Sequence, residues 1–182
     1  MSGVAEVESG PFRFVVQLHA ARQLHYDFRL EIGGALVSWA VPKGPSLRPA
    51  DKRLATRVDD HALLYGDFEG ILPVGSYGAG RVIVWDNGSY APVPEPKGSP
   101  PVLEREAAAR LIEQQLAEGQ VKVELYGHKM RGRWALVYTK GRMGPNGWLL
   151  IKDRDAHSRE ESGPPGDDRS VLSGRTLNEL TP

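Results

Sequence analysis

Along Leu24–Ile32 apolar and polar residues alternate, with Tyr26, Phe28, Leu30 and Ile32 on one face and His25, Asp27, Arg29 and Glu31 on the other. Successive side chains of a strand point to opposite faces, so a period of two predicts a half-buried β-strand. Residues 12–19 repeat the pattern, with Phe12, Phe14, Val16 and Leu18 set against Arg13, Val15, Gln17 and His19. They predict a preceding strand. Gly33-Gly34 follows Ile32, and a two-residue hairpin turn needs the positive φ that glycine adopts without a Cβ clash. Pairing across that turn sets Leu30 against Val37, Phe28 against Trp39 and Tyr26 against Val41, all apolar. The same register sets Arg29 against Ser38 and Asp27 against Ala40, whose small side chain leaves room. The apolar side predicts core, and the polar side predicts a site.

The remaining pattern is mostly strand and turn. Proline cannot donate to a ladder, so Pro42 and Pro45 end the third strand. Residues 53–59 alternate again, and Arg53, Arg57, Asp59 and His61 share one parity. Gly66, Gly70, Gly75, Gly78 and Gly80 predict turns between strands; no Gly-Lys-Ser/Thr follows them, as a phosphate-cradling loop requires. Residues 81–85 predict a strand and Asp86-Asn87-Gly88 a hairpin turn. A proline-rich loop covers 92–101. Residues 104–118 predict a helix with an apolar stripe of Leu103, Ala107, Leu111, Ile112, Gln115 and Leu116, capped by Gly119. Strands at 121–126, 133–139 and 148–153 complete the set. Many short strands with regular turns predict a mainly β, single-domain small barrel of about eight strands with one or two short helices. The domain is expected to occupy 11–155. Residues 1–10 are expected to be disordered, and 156–182, rich in Gly, Pro, Ser, Asp and Arg, to form a flexible tail or linker.

Composition narrows the function classes. The 182 residues suffice for one domain with a core. Lys plus Arg and Asp plus Glu are 23 each, giving no net charge. That argues against a protein that coats long DNA, whose affinity comes from phosphate neutralisation. An enzyme gripping a strand end needs only a few local cations. The chain has no Cys, which excludes disulfides and thiolate metal sites and fits a reducing cytoplasm. The N-terminus lacks the basic and apolar regions of a signal peptide, and no apolar run approaches the ~20 residues of a membrane span. A cytoplasmic protein with no membrane partner is expected.

The candidate chemistry lies on the polar face of the first two strands. There the side chains recur every ~6.5–7 Å, close enough for His19, His25 and Asp27 to share a divalent metal. Nitrogen-plus-carboxylate ligation suits Mn²⁺, Zn²⁺, Fe²⁺ or Co²⁺. Arg29 beside them can hold an anionic substrate oxygen. Arg48, Lys52, Arg53 and Arg57 form the clearest basic cluster. On residues alone, two other readings stay open: a two-His-one-carboxylate iron oxygenase, and a non-catalytic module that docks nucleic-acid ends.

The segments HYDFRLE and SWAVPKGPS resemble the 3′-phosphoesterase domain of bacterial and archaeal DNA ligase D. KRLATRVDDHALLY, FEGILPVGSYGAG, VIVWDNG, GHKMRGRWALVYT and WLLIKDRD extend the likeness in order, from about residue 12 to residue 155. The resemblance implies a small barrel that heals DNA or DNA/RNA primer-template 3′ ends in non-homologous end joining. Its implied activities are a 3′-ribonuclease and a 3′-phosphatase, which together leave a 3′-OH, with Mn²⁺ as cofactor. It implies His19, His25 and Asp27 as metal ligands, and Arg29, Arg53, His61, Tyr65 and Lys43 around the phosphate. His61 is implied as phosphate donor or general acid, Tyr65 as a donor beside it, and Asp59 as a further catalytic residue. DNA ligase, primase-polymerase and Ku are the implied partners. The chain departs from the family at Asp59, where Glu is commoner, and at Val74, where an acidic residue is common.

Overall fold

The hairpin at Gly33-Gly34 joins strands β2 (Leu24–Ile32) and β3 (Ala35–Val41), with φ of 62° and 84° at the two glycines. Its register pairs Leu30 with Val37, Phe28 with Trp39, Tyr26 with Val41, Arg29 with Ser38 and Asp27 with Ala40, each as expected. The structure is a computed structural model that describes residues 9–75 and 79–181. The expectations for residues 1–8 and for Gly78 lie outside the described residues.

Strand β1 (Phe12–Ala20) pairs with β2, and β4 (Lys52–His61) follows β3. The short β5 (Gly70–Leu72) precedes a long β6 (Gly80–Pro92). Helix α1 (Arg105–Glu118) separates β6 from β7 (Gln120–Gly127), β8 (Arg131–Tyr138) and β9 (Gly147–Lys152). The sheet runs β1-β2-β3-β4-β9-β8-β7-β6, and pairing of β6 with β1 closes it into an eight-stranded antiparallel barrel. Closure removes the sheet edges that would otherwise present unpaired backbone. β5 is an extra strand laid on the first residues of β6.

Alternation fills the interior with Phe14, Phe28, Leu30, Trp39, Trp85 and Trp134, each at most 1% exposed. Helix α1 contributes Ala108 and Ile112 to this core, and Leu180 joins the same cluster. Leu103, expected on the helix stripe, is exposed. Ile112 and Gln115 are buried as expected, joined by Ala108, and the Gln115 amide donates to Val93 O and accepts from Lys122 N. Outside the wall lies a second small cluster of Val15, Leu36 and Val84, partly covered by Leu63 and Val171. Val15 therefore faces outward without facing water.

Two local expectations fail for one physical reason, the β-bulge. Asp86-Asn87-Gly88 is not a turn: β6 continues through it to Pro92. The β1–β6 register shifts between Val16 and Gln17, so one extra β6 residue is absorbed there. The buried Asp86 carboxylate accepts hydrogen bonds from the backbone N–H groups of His128, Lys129 and Met130. That contact ties β6 to the β7–β8 hairpin and stabilises the continued strand. A second bulge opposite Leu36 and Ser38 breaks the parity of β4, so Val58 and His61, not Arg57 and His61, share a face.

Residues 156–181, expected as part of a flexible tail, are mostly irregular but lie against the barrel. Ser170 and Leu180 are buried, and backbone hydrogen bonds join Val171 to Val84 and Arg159 to Leu47. Main-chain groups make many of these contacts, so the polar composition of the segment does not reveal them.

Close packing at the β7–β8 hairpin makes one sharp prediction. A Cβ on Gly127 would lie 2.6 Å from Asp86 Oδ2 and from Phe14 Cζ, and 2.7 Å from Met130 O. None of these can move without disturbing the Asp86 nest or the core. Gly127→Ala is expected to cost about 1–3 kcal/mol. Thermal denaturation should show it as a fall in Tm of roughly 2–4 °C per kcal/mol.

Candidate metal and phosphate site

The polar face of the first hairpin lies on the outer wall of the barrel. In the β1–β2 register His19 stands opposite His25, and Gln17 opposite Asp27. The three expected ligands converge: donor atoms of His19, His25 and Asp27 lie within 4.8 Å of one another. His25 Nε2 is 3.2 Å from Asp27 Oδ1, and His19 Nδ1 is 3.6 Å from Asp27 Oδ2. Nε2 of His19 is buried and has no hydrogen-bond partner among the described residues. A buried polar atom without a partner is costly, and a cation would satisfy it. Two imidazoles and a carboxylate so placed fit a divalent transition metal.

Arg29 adjoins the cluster and is buried. Its Nε donates to Gln17 Oε1 at 2.7 Å, and Nη1 donates to Ser38 Oγ at 2.8 Å. Nη2 lies 3.4 Å from Asp27 Oδ2. The guanidinium also sits over the Tyr65 ring, 5.1 Å from its centroid. Held on so many sides, it loses little freedom when it meets an anion.

β4 and the turn after it supply the opposite wall. The β4 bulge swings His61 onto the same face as Val58. A 3₁₀ turn over Leu63–Asp67 brings Tyr65 beside His61, with ring centroids 4.7 Å apart, and Phe68 stacks on Tyr65 from behind. Two contacts compete for His61 Nδ1: Arg29 Nη1 at 3.0 Å and the Asp59 carbonyl at 3.1 Å. The first needs a lone pair on that nitrogen and the second needs a proton. We assign the lone pair, because a contact to a charged donor is the stronger. Nε2 then carries the proton and can donate.

The site's electrostatics keep its groups in definite states. Burial pushes the Asp27 carboxyl up, but contacts with His19 and His25 and the Arg29 charge more than reverse this, holding it below the usual carboxylate range. The Asp27 hydrogen bond raises His25, with burial opposing. Burial, then the Arg29 charge, lowers His61, which favours a neutral imidazole at pH 7. Burial raises the Tyr65 hydroxyl and keeps it a donor.

A cavity of about 420 Å³ unites these groups. It is lined by His19, His25, Asp27, Arg29, His61 and Tyr65, and also by Asp59 and the apolar Ala21, Ala40, Val58 and Leu72. Two expected phosphate residues are not among its lining. Arg53 falls on the same parity as the core residue Ala55, and it pairs with Asp51 at 3.7 Å. The β4 bulge turns His61, and not Arg53, onto the site face. Lys43 is exposed in the turn after β3. Gln17 was not expected in the site. Its Nε2 donates to the carbonyls of Tyr65 and Phe68 while its Oε1 accepts from Arg29, so one amide spans both walls. Its place on the polar face, in register with Asp27, was the available signal.

A family model described as DNA Ligase D 3′-phosphoesterase domain matches residues 17–138. The multifunctional non-homologous end joining protein LigD of Pseudomonas aeruginosa is 46% identical over 176 residues, covering 93% of this chain and 19% of that protein. Its namesake from Mycolicibacterium smegmatis is 41% identical over 147 residues, covering 79% and 17%. The multifunctional non-homologous end joining DNA repair protein LigD of Mycobacterium tuberculosis is 42% identical over 128 residues, covering 70% and 15%. The chain thus spans less than a fifth of the length of these relatives. The family match takes in all the cavity residues named above and more than half of the sequence, so the chain belongs to the DNA ligase D 3′-phosphoesterase domain family.

Proposed function

We propose that the chain is a metal-dependent 3′-end-healing phosphoesterase that acts in non-homologous end joining. It removes 3′-terminal ribonucleosides and then the 3′-phosphate from DNA or DNA/RNA primer-template ends, leaving the 3′-OH that a polymerase or ligase extends. One observation supports this most: a three-donor metal cluster and a fixed guanidinium share one cavity with two neutral donors, His61 and Tyr65. Phosphoryl transfer is catalysed mainly by positioning and by stabilising charge on the phosphoryl oxygens.

His19, His25 and Asp27 are proposed to hold the cation, with Mn²⁺ as the metal. When bound, it supplies positive charge to the phosphoryl group and acidifies a water. Arg29 holds another phosphate oxygen, and its contacts to Gln17 and Ser38 fix its angle. His61 donates from Nε2 and Tyr65 from its hydroxyl. The lowered pKa of His61 favours a neutral donor over an acid in the free site, while an incoming phosphate dianion raises its proton affinity. In phosphate removal the water oxygen bonds to phosphorus, the bond from phosphorus to the 3′-oxygen breaks, and that oxygen leaves protonated. Asp59 at the cavity edge is proposed as a second-rank contributor. Arg53 and Lys43 are proposed to act on more distant phosphates of the strand. The reducing cytoplasm is the proposed compartment, and DNA ligase, primase-polymerase and Ku the proposed partners. Among the described residues no helix is long and apolar enough to cross a membrane.

The test is an assay on a primer-template ending in a 3′-phosphate or a single ribonucleotide. With Mn²⁺, the primer should become extendable by a polymerase; with chelator it should not. No extendable product with Mn²⁺, Zn²⁺, Co²⁺ or Fe²⁺ would overturn the proposal.

A further inference from the structure

The outer edge of β6 changes partners along its length. Its first residues pair with β5 and its last with β7, as in Gly70 with Val82 and Gly88 with Gly127. Between them, Val84 has no strand beside it on that edge. Buried backbone groups must be paired, and here two irregular segments supply the partners. Val84 N donates to Glu69 Oε1 at 2.8 Å, and Val84 O accepts from Val171 N at 2.9 Å. The hydroxyl of Ser170, itself 5% exposed, donates to the same Glu69 oxygen.

The segment bearing Ser170 is fixed on both sides of that contact. The Asp167 carbonyl accepts from Trp85 Nε1 at 2.8 Å, and Lys129 Nζ donates to the carbonyls of Asp167 and Arg169. Ser170 N donates to Arg175 O, and its side-chain oxygen accepts from the backbone N–H groups of Leu172 and Ser173. Val171 packs over Val15, Leu36 and Val84 together with Leu63.

Glu69 leads directly into the catalytic wall. Its neighbour Phe68 stacks on Tyr65, with planes 13° apart and centroids 5.4 Å apart. Both carbonyls, Phe68 O and Tyr65 O, accept from Gln17, which also orients Arg29. Ser170 is thus linked to Tyr65 through one carboxylate, one peptide unit and one ring stack.

We infer that residues 167–171 belong to the catalytic unit, and that Ser170 and Glu69 are positioning residues that hold Tyr65 at the phosphate site. This rests on the phosphoesterase reading above. It extends the working unit beyond the 17–138 span of the family match, into a region whose composition suggests a linker.

The test is a double-mutant cycle on the full chain, using Ser170→Ala and Tyr65→Phe. Calorimetry reads the affinity for inorganic phosphate in the presence of Mn²⁺, and the primer assay reads turnover. Ser170→Ala is expected to weaken phosphate binding and lower kcat about tenfold, and to lose most of that effect once Tyr65 is already Phe. The Mn²⁺ affinity should stay within about twofold, because the metal ligands sit on β1 and β2 and, among the described residues, share no hydrogen bond or ion pair with Ser170 or Glu69. Glu69→Ala should reproduce the loss and add nothing to Ser170→Ala. Full-sized, additive losses in the Tyr65→Phe background overturn the positioning role, as does an unchanged Ser170→Ala. Coupled losses in phosphate affinity without end processing by the parent protein overturn the phosphoesterase reading and leave the positioning role standing.

Discussion

Replacing His25 with alanine should lower 3′-phosphate turnover by at least ~100-fold and leave the barrel folded. Even partners behind the ligands of a metal typically cost 10–100-fold in affinity or activity, and a ligand itself costs more. The fold should survive because His25 contributes little to packing. Its side chain is 20% exposed, at the open end of β2, and its other ring nitrogen contacts the Gln23 carbonyl. Asp27 keeps His19 and Arg29 as partners. Two measurements check this. The metal titration should lose its heat, and the rise in Tm that Mn²⁺ gives the parent protein by mass action should disappear. A variant that still binds Mn²⁺ with parent affinity and processes ends at the parent rate removes His25 from the ligand set.

Arg29→Ala should be costly in two ways. Loss of a fixed donor to developing phosphoryl charge typically costs about 10²–10³-fold in kcat. Stability should fall too, by about 3–5 kcal/mol, because removing one member of a buried ion pair leaves the other uncompensated. Arg29 is 3% exposed, and its loss strips donors from Gln17 Oε1, Ser38 Oγ and His61 Nδ1. Asp27 also loses a charge that holds its carboxyl low, so this part of the stability deficit should be largest near neutral pH and shrink at acidic pH. The sign follows from linkage: a depressed carboxyl pKa stabilises the fold above the unfolded value and loses that stabilisation as pH falls. Arg29→Lys separates the two losses. It restores positive charge, and with it part of the stability, but one ammonium cannot replace the planar fork that meets Gln17 and Ser38 together, so kcat should recover less. Urea titration at two pH values, beside the primer assay, reads both effects.

The first hairpin was fully legible in the sequence because one repeat of two residues determines which side chains face inward, and Gly33-Gly34 determines the register. That alone placed His25, Asp27 and Arg29 on one surface opposite Phe28 and Trp39, while the same repeat put His19 on the polar side of the preceding strand. Legibility ended where a strand gained a residue. The β4 bulge separates Arg53 and Arg57 from His61, and the β1–β6 bulge carries a strand through Asp86-Asn87-Gly88, a sequence with strong turn preference. A bulge depends on the partner strand, so the local pattern cannot encode it. The segment 167–171 was hidden for a different reason. It is held largely by carbonyls and N–H groups, which every residue has, with one serine hydroxyl, the Val171 side chain and the Asp167 carboxylate beside Lys129 adding to them. Gln17 lay in plain view on the polar face, but nothing local distinguishes an amide that bridges two walls from one that meets water.

The cavity groups stand on the outside of the barrel wall, on the reverse side of strands whose inner faces form the core. A pocket at a barrel mouth would have to admit its guest end-on, between surrounding loops. An external cleft sets no such limit on what is attached beyond the phosphate: the terminus can be seated while an arbitrarily long polymer trails away across the surface, with no need to thread it.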